Sequence, residues 1–148
     1  MDITVYKKLY EALEVALVEF NNQTNFGVSL SPYSPEEPKY PLIVMDEARN
    51  TPISKYTHNR EEISSLGYRV DIFAKTALIT KPDKKKEPFT KQQICREIMA
   101  FVDNFMRRRI GLEQISYNYF DSVGTQGELY QIVLVYQQKH NDKREYFF

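Results

Sequence analysis

The stretches Tyr40-Pro-Leu-Ile-Val-Met-Asp-Glu-Ala-Arg-Asn50 and Leu66-Gly-Tyr-Arg-Val-Asp-Ile-Phe-Ala-Lys75 decide the fold of this chain. The first is apolar on both faces from Leu42 to Met45, the mark of a central strand covered on two sides. It turns polar at Asp46 and Glu47, where it should emerge. The second alternates: Leu66, Tyr68, Val70, Ile72 and Ala74 face one way, with Arg69, Asp71 and Lys75 opposite. Both read as strands. The polar segment 51–65 between them is far too long for a tight hairpin. It is an arm that the fold itself does not require.

Working outward, Tyr6, Leu9, Leu13, Ala16, Leu17 and Phe20 recur at helical spacing, with Asp2 as a cap, and predict an N-terminal helix. Residues 21–25 are turn formers that end it, and a short strand is expected over 26–30. Pro32, Pro35 and Pro38 hold the next loop extended. After the Leu66 strand, residues 81–88 read as a charged loop. Thr90 caps a second helix whose buried stripe is Ile94, Ile98, Phe101, Val102 and Phe105. Arg107, Arg108 and Arg109 close that helix, and Gly111 stops it. Two strands, about 112–120 and 129–138, come next around a turn with Gly124 and Gly127, which predicts an antiparallel pair.

The expected order is therefore α-β-β-β-α-β-β: one α+β domain over 1–148, a mixed or antiparallel sheet with two helices packed on it. An arm lies at 51–65 and a polar tail at 139–148. Tyr130, Ile132, Leu134 and Tyr136 alternate with Val133 and Val135, so the last strand is apolar on both sides. Either the helices straddle the sheet or its second face packs on another subunit. The aromatic content, 11 Tyr and 9 Phe without Trp, favours the second option, because Tyr suits interfaces.

At 148 residues the chain fits one domain that buries roughly two thirds of its unfolded surface. Twenty basic and twenty acidic residues cancel, which argues against a grip on nucleic-acid phosphates and favours association. Met1-Asp2 lacks the basic start of a signal peptide, and Lys7 and Lys8 interrupt the first apolar stretch. No apolar run approaches the roughly 20 residues of a membrane span. Cys95 alone excludes an internal disulfide and fits a reducing cytoplasm.

Candidate chemistry is sparse. A metal-dependent nuclease of α-β-β-β-α-β order needs an acid on one strand, a second acid on the next, and a Lys two residues beyond. Asp46 or Glu47 and Asp71 supply the acids, but Phe73 stands where the Lys is required and Lys75 lies too far on. His58 and His140 sit in polar segments without partners at ligand spacing. Cys95 falls on the buried side of helix two and reads as a packed thiol. Arg107 to Arg109 complement a helix dipole, and Lys84, Lys85 and Lys86 read as a solvated loop. Tyr117, Tyr119 and Phe120 can stack bases, yet at strand spacing they are more often core or subunit contacts.

With these elements laid out, the chain resembles the tail-terminator (tail-completion) proteins of tailed bacteriophages and their neighbours in the head–tail joint. The likeness covers roughly residues 3–138. It rests on the leading helix, the strand from Lys39 to Asn50, the arm, the strand from Tyr68 to Lys75, and the second helix and closing hairpin in that order. The resemblance implies a homo-hexameric ring in the virion neck, assembled in the host cytoplasm, that caps the tail tube and joins tail to head. The implied partners are identical subunits, the tail tube protein and head–tail connector proteins. DNA would pass through the channel without sequence-specific binding, and no membrane, cofactor or catalysis is implied. A monomeric adaptor binding a protein by its sheet edge is the other non-enzymatic reading. As subunit or partner contacts we expect Lys55, Tyr56, His58 and Arg60 in the arm, Tyr130, Ile132, Leu134 and Tyr136 in the last strand, and Tyr146, Phe147 and Phe148 in the tail.

Overall fold

The computed structural model describes residues 3–49, 66–81 and 83–137. The arm (51–65), Gln138 and the tail (139–148), with Lys55, Tyr56, His58, Arg60, His140, Tyr146, Phe147 and Phe148, lie outside the described residues, as does Asp2. The first element, α1 (Ile3–Thr24), buries Leu9, Leu13 and Leu17 along one stripe. Each such side chain contributes about 1.5–3 kcal/mol by leaving water. The helix runs to Thr24, whose hydroxyl donates back to Phe20 O at 2.9 Å. Asn25 then takes a positive φ of 61° and reverses the chain.

Asn21 directs the chain into the first strand. Its side chain accepts from Val28 N at 2.8 Å and donates to Val28 O at 3.0 Å, as a neighbouring strand would. With Val28 so engaged, the first strand forms later than expected, as β1 (Ser29–Ser31), although Phe26 and Val28 are still buried. β1 runs parallel to β2 (Leu42–Arg49), which is antiparallel to β3 (Leu66–Ala74). β3 pairs with β7 (Leu129–Gln137), and β7 with β6 (Glu113–Val123). The mixed five-stranded sheet has the order β1-β2-β3-β7-β6. The fold is α+β in the expected order, with one addition.

That addition replaces the expected charged loop. β4 (Ala77–Thr80) and β5 (Lys86–Phe89) form a separate two-stranded hairpin. Lys81 pairs with Glu87 and lies over the Phe89 ring, so part of the charge is a cross-strand pair rather than free loop surface. Phe89 meets Phe26 edge to face, which seats the hairpin beside the end of α1.

Thr90 caps α2 (Lys91–Asp103) with a full capping box: its hydroxyl accepts from Gln93 N, and Gln93 Oε1 accepts from Thr90 N at 2.8 Å. Beyond Asp103 the helix widens into a π-helical stretch, Asn104–Ile110, instead of continuing as α. Gly111, at a φ of 92°, ends it in a left-handed conformation that glycine adopts without strain.

Both helices lie on one face of the sheet. Leu9, Leu13 and Leu17 from α1 join Ile94, Cys95, Ile98 and Val102 from α2 in a single core. Ile43, Met45, Val70, Ile72, Ile132 and Leu134 complete it from the strands. Phe20 stacks on Phe101 at 4.6 Å, closing the seam between the helices. The helices do not straddle the sheet.

Candidate interaction surface

Register determines which side chains the helices cover. Tyr68 faces Tyr136, Val70 faces Leu134, Ile72 faces Ile132 and Ala74 faces Tyr130. All eight belong to the core beneath the helices. This corrects one expectation: Tyr130, Ile132, Leu134 and Tyr136 are 5% exposed or less and make intramolecular core contacts. They do not form a contact surface. Among the described residues, Gln131, Val133 and Val135 of β7 lie on the other face, Val133 buried and the other two partly exposed.

That second face is built in cross-strand rows. Leu42, Phe73, Gln131 and Phe120 form one; Val44, Asp71, Val133 and Asn118 the next; Asp46, Arg69, Val135 and Ser116 the third. Leu42, Val44 and Val133 are buried yet stand outside the helix-side core. Tyr40 covers one end, packing on Phe73 at 6.5 Å with Lys75 over its ring. No helix among the described residues covers the rest. The face thus mixes apolar and polar strand side chains, with one ion pair set into it.

The ion pair is Arg69 with Asp71. Arg69 Nε donates to Asp71 Oδ1 at 2.8 Å and Nη2 to Oδ2 at 3.2 Å, and Gln131 Nε2 donates to Oδ2 at 3.4 Å. Asp71 is mostly buried, and its hydrogen bonds raise the Arg69 pKa further above its ordinary value. For the nuclease reading this arrangement is unfavourable. Asp46 and Asp71 share this face, whereas Glu47, opposite Tyr68, points to the other. Arg69 neutralises Asp71, Phe73 holds the position of the required Lys, and Lys75 lies over Tyr40. No cluster of three or more His, Cys, Asp or Glu side chains able to hold a metal occurs among the described residues.

The remaining candidates have structural surroundings. The Cys95 thiol is buried, donates towards Tyr130 O at 3.4 Å, and is pushed up to about 12 by desolvation, so it stays protonated at neutral pH. Arg107 pairs with Asp103 at 2.6 Å, and Arg109 lies over the Phe105 ring at 5.4 Å. Arg108 and the trio Lys84, Lys85 and Lys86 are exposed. Tyr117, Tyr119 and Phe120 lie exposed on β6, the two tyrosines on the helix side and Phe120 on the second face.

A cleft of about 730 Å³ opens between the π-helical stretch and the start of β6, lined by Asp103, Asn104, Arg107, Arg108, Glu113 and Gln114. Its central group is Asp103, which sequence reasoning did not single out. Asp103 accepts from Tyr136 Oη, Gln114 Nε2 and Arg107. No sequence signal marks it, since an Asp late in a helix ordinarily faces solvent. Among the described residues, no helix is long and apolar enough to cross a membrane.

Comparison with family models finds no match, and no curated protein matches the chain either.

Proposed function

We propose that this chain is a structural subunit that works through contacts with copies of itself. In this reading the copies close into a ring that caps a phage or phage-like tail tube, stops its growth and joins tail to head. The observation that carries it is the one-sided layering: both described helices cover one sheet face, while Leu42, Val44 and Val133 lie on a second face that no helix among the described residues covers. On that face the partly exposed Val135 and the exposed Phe120 leave apolar surface that a subunit contact would cover. A repeated heterologous contact around a rotation axis makes a ring, and the second face with the 51–65 arm would be its two halves. Zero net charge removes the repulsion that would oppose close assembly. In the ring, DNA would pass without specific contacts, and the work would be done by shape.

The test is the mass and shape of the full chain in solution, by sedimentation and negative-stain imaging, with and without tail tubes. A closed ring that binds tube ends and limits their length is expected. A strict monomer that neither binds tubes nor affects their growth overturns the reading. Mg²⁺- or Mn²⁺-dependent DNA cleavage abolished by Asp71→Ala, with the fold intact, would put the nuclease in its place.

A further inference from the structure

β6 is an open edge of the five-stranded sheet: it pairs with β7 on one side and with no strand on the other among the described residues. An edge strand presents a row of unpaired N–H and C=O groups, and natural sheets blunt such rows with charges, prolines or bulges. Here the irregularities lie towards the ends. Register shifts fall between Gln114 and Ser116 and between Phe120 and Val123, leaving Ser116 to Phe120 in regular register. That middle segment, Ser-Tyr-Asn-Tyr-Phe, has neither charge nor proline. Its Tyr117, Tyr119 and Phe120 are 43%, 61% and 49% exposed. α2 packs over β3 and β7; Tyr117 and Tyr119 lie on the helix side of β6 and Phe120 on the opposite face.

Charge and register select the occupant. Glu113 and Asp121 flank the segment in its irregular ends, Asp121 already held by Lys91 at 2.9 Å, so an antiparallel partner pairs with the uncharged stretch between them. A second β6 does so when centred on Asn118. Tyr117 then meets the partner's Tyr119 and Ser116 the partner's Phe120. This register also lays the regular segment wholly upon itself, with each irregular end outside the contact. Moving the axis to Tyr117 would set Tyr119 and Phe120 against the partner's Ile115 and Gln114, where its strand loses regular register.

We infer that β6 is a self-pairing edge: two copies join antiparallel through Ser116 to Phe120 about a twofold axis at Asn118, merging their sheets into one. This contact is isologous, whereas a ring is built from heterologous contacts, so it stands independently of the ring reading.

The full chain with Asn118→Cys tests the register. Two thiols would meet across the axis, so mild oxidation should give a disulfide-linked dimer. Ser116→Cys, facing Phe120, should not. The native Cys95 is buried and contributes no cross-link. Asn118→Lys opposes two like charges directly and should reduce the sedimenting mass to that of the undimerised form. Asn118→Cys adds no charge, so it decides the matter even where Asn118→Lys misfolds. A wild-type chain that remains monomeric at its solubility limit overturns the inference. So does a folded Asn118→Lys variant of unchanged mass, or Ser116→Cys cross-linking as readily as Asn118→Cys.

Discussion

Tyr136 Oη donates to Asp103 Oδ1 at 2.9 Å, joining the last strand of the sheet to the point where α2 passes into its π-helical end. Gln114 donates to the same oxygen at 3.1 Å, and Arg107 holds the other at 2.6 Å. One carboxylate therefore ties together β7, β6 and the helix. The Tyr136 hydroxyl is buried, and desolvation together with the nearby Asp103 carboxylate raises its pKa above the ordinary tyrosine value.

Removing either end of this tie should have unequal effects. Tyr136→Phe loses one charge-assisted hydrogen bond and leaves Asp103 with two partners, costing about 1–2 kcal/mol. Asp103→Ala strands a buried hydroxyl as well and should cost more, about 2–3 kcal/mol. Urea unfolding of both variants gives the order. Equal losses, or a larger loss for Tyr136→Phe, would show that the carboxylate is not the hub.

Alkaline pH should destabilise the fold in a defined sequence. Burial raises the Cys95 thiol to about 12, and Tyr6, whose hydroxyl donates to Met45 O, is also raised to about 12. A proton held more tightly when folded makes the unfolded chain bind fewer protons above its own pKa. Stability is then complete below that value and falls as pH rises towards the folded one. Cys95 should remove about 1.4 kcal/mol per pH unit from about pH 9, and Tyr6, which solvent screens, clearly less than that from about pH 10. Cys95→Ala should lower the baseline and abolish the earliest part of the decline. A urea midpoint that holds constant from pH 8 to 10.5 in the wild type contradicts this account.

The capping box predicts a position-specific loss. Thr90→Ala removes the acceptor for Gln93 N and should cost about 1 kcal/mol, while Thr90→Ser should retain most of the stability. Thermal melts of the three chains decide it. An unchanged melting temperature in Thr90→Ala would mean that the helix start is held by its packing alone.

Val135 separates assembly from folding. It lies partly exposed on the second sheet face, directly opposite Arg69 in register. Val135→Glu places an acid beside that guanidinium, so the monomer should keep its stability to within about 0.5 kcal/mol. An apolar contact through this face should be lost. Sedimentation against denaturant unfolding distinguishes the two. Intact assembly in this variant would move the ring contact elsewhere.

Deletion of residues 55–61 should leave the domain folded and weaken assembly, read by circular dichroism and sedimentation together. Global unfolding would instead make that segment part of the core.

Much of this architecture is written in residue order. Tyr68, Val70, Ile72 and Ala74 announce both a strand and its covered face, because Arg69, Asp71 and Lys75 between them cannot be buried without partners. Thr90 followed by Gln93 announces the start of α2. Other elements depend on contacts distant in sequence. In β7 both alternating sets are apolar, so composition could not say whether Tyr130 to Tyr136 or Val133 and Val135 lie under the helices. Pairing of Tyr136 with Tyr68 and Leu134 with Val70 decides it. The hairpin of β4 and β5 is hidden by its lysines, ordinary residues for exposed edge strands. Asp103 gains its importance only when the π-helical turn and β6 bring Arg107 and Gln114 to it.

Placing both described helices on the same side gives the subunit a top and an underside that cannot be exchanged. Any closed array of equivalent copies inherits that polarity, with helix on one side and strand on the other. Whatever passes along its axis and whatever grips its rim would therefore meet chemically different walls.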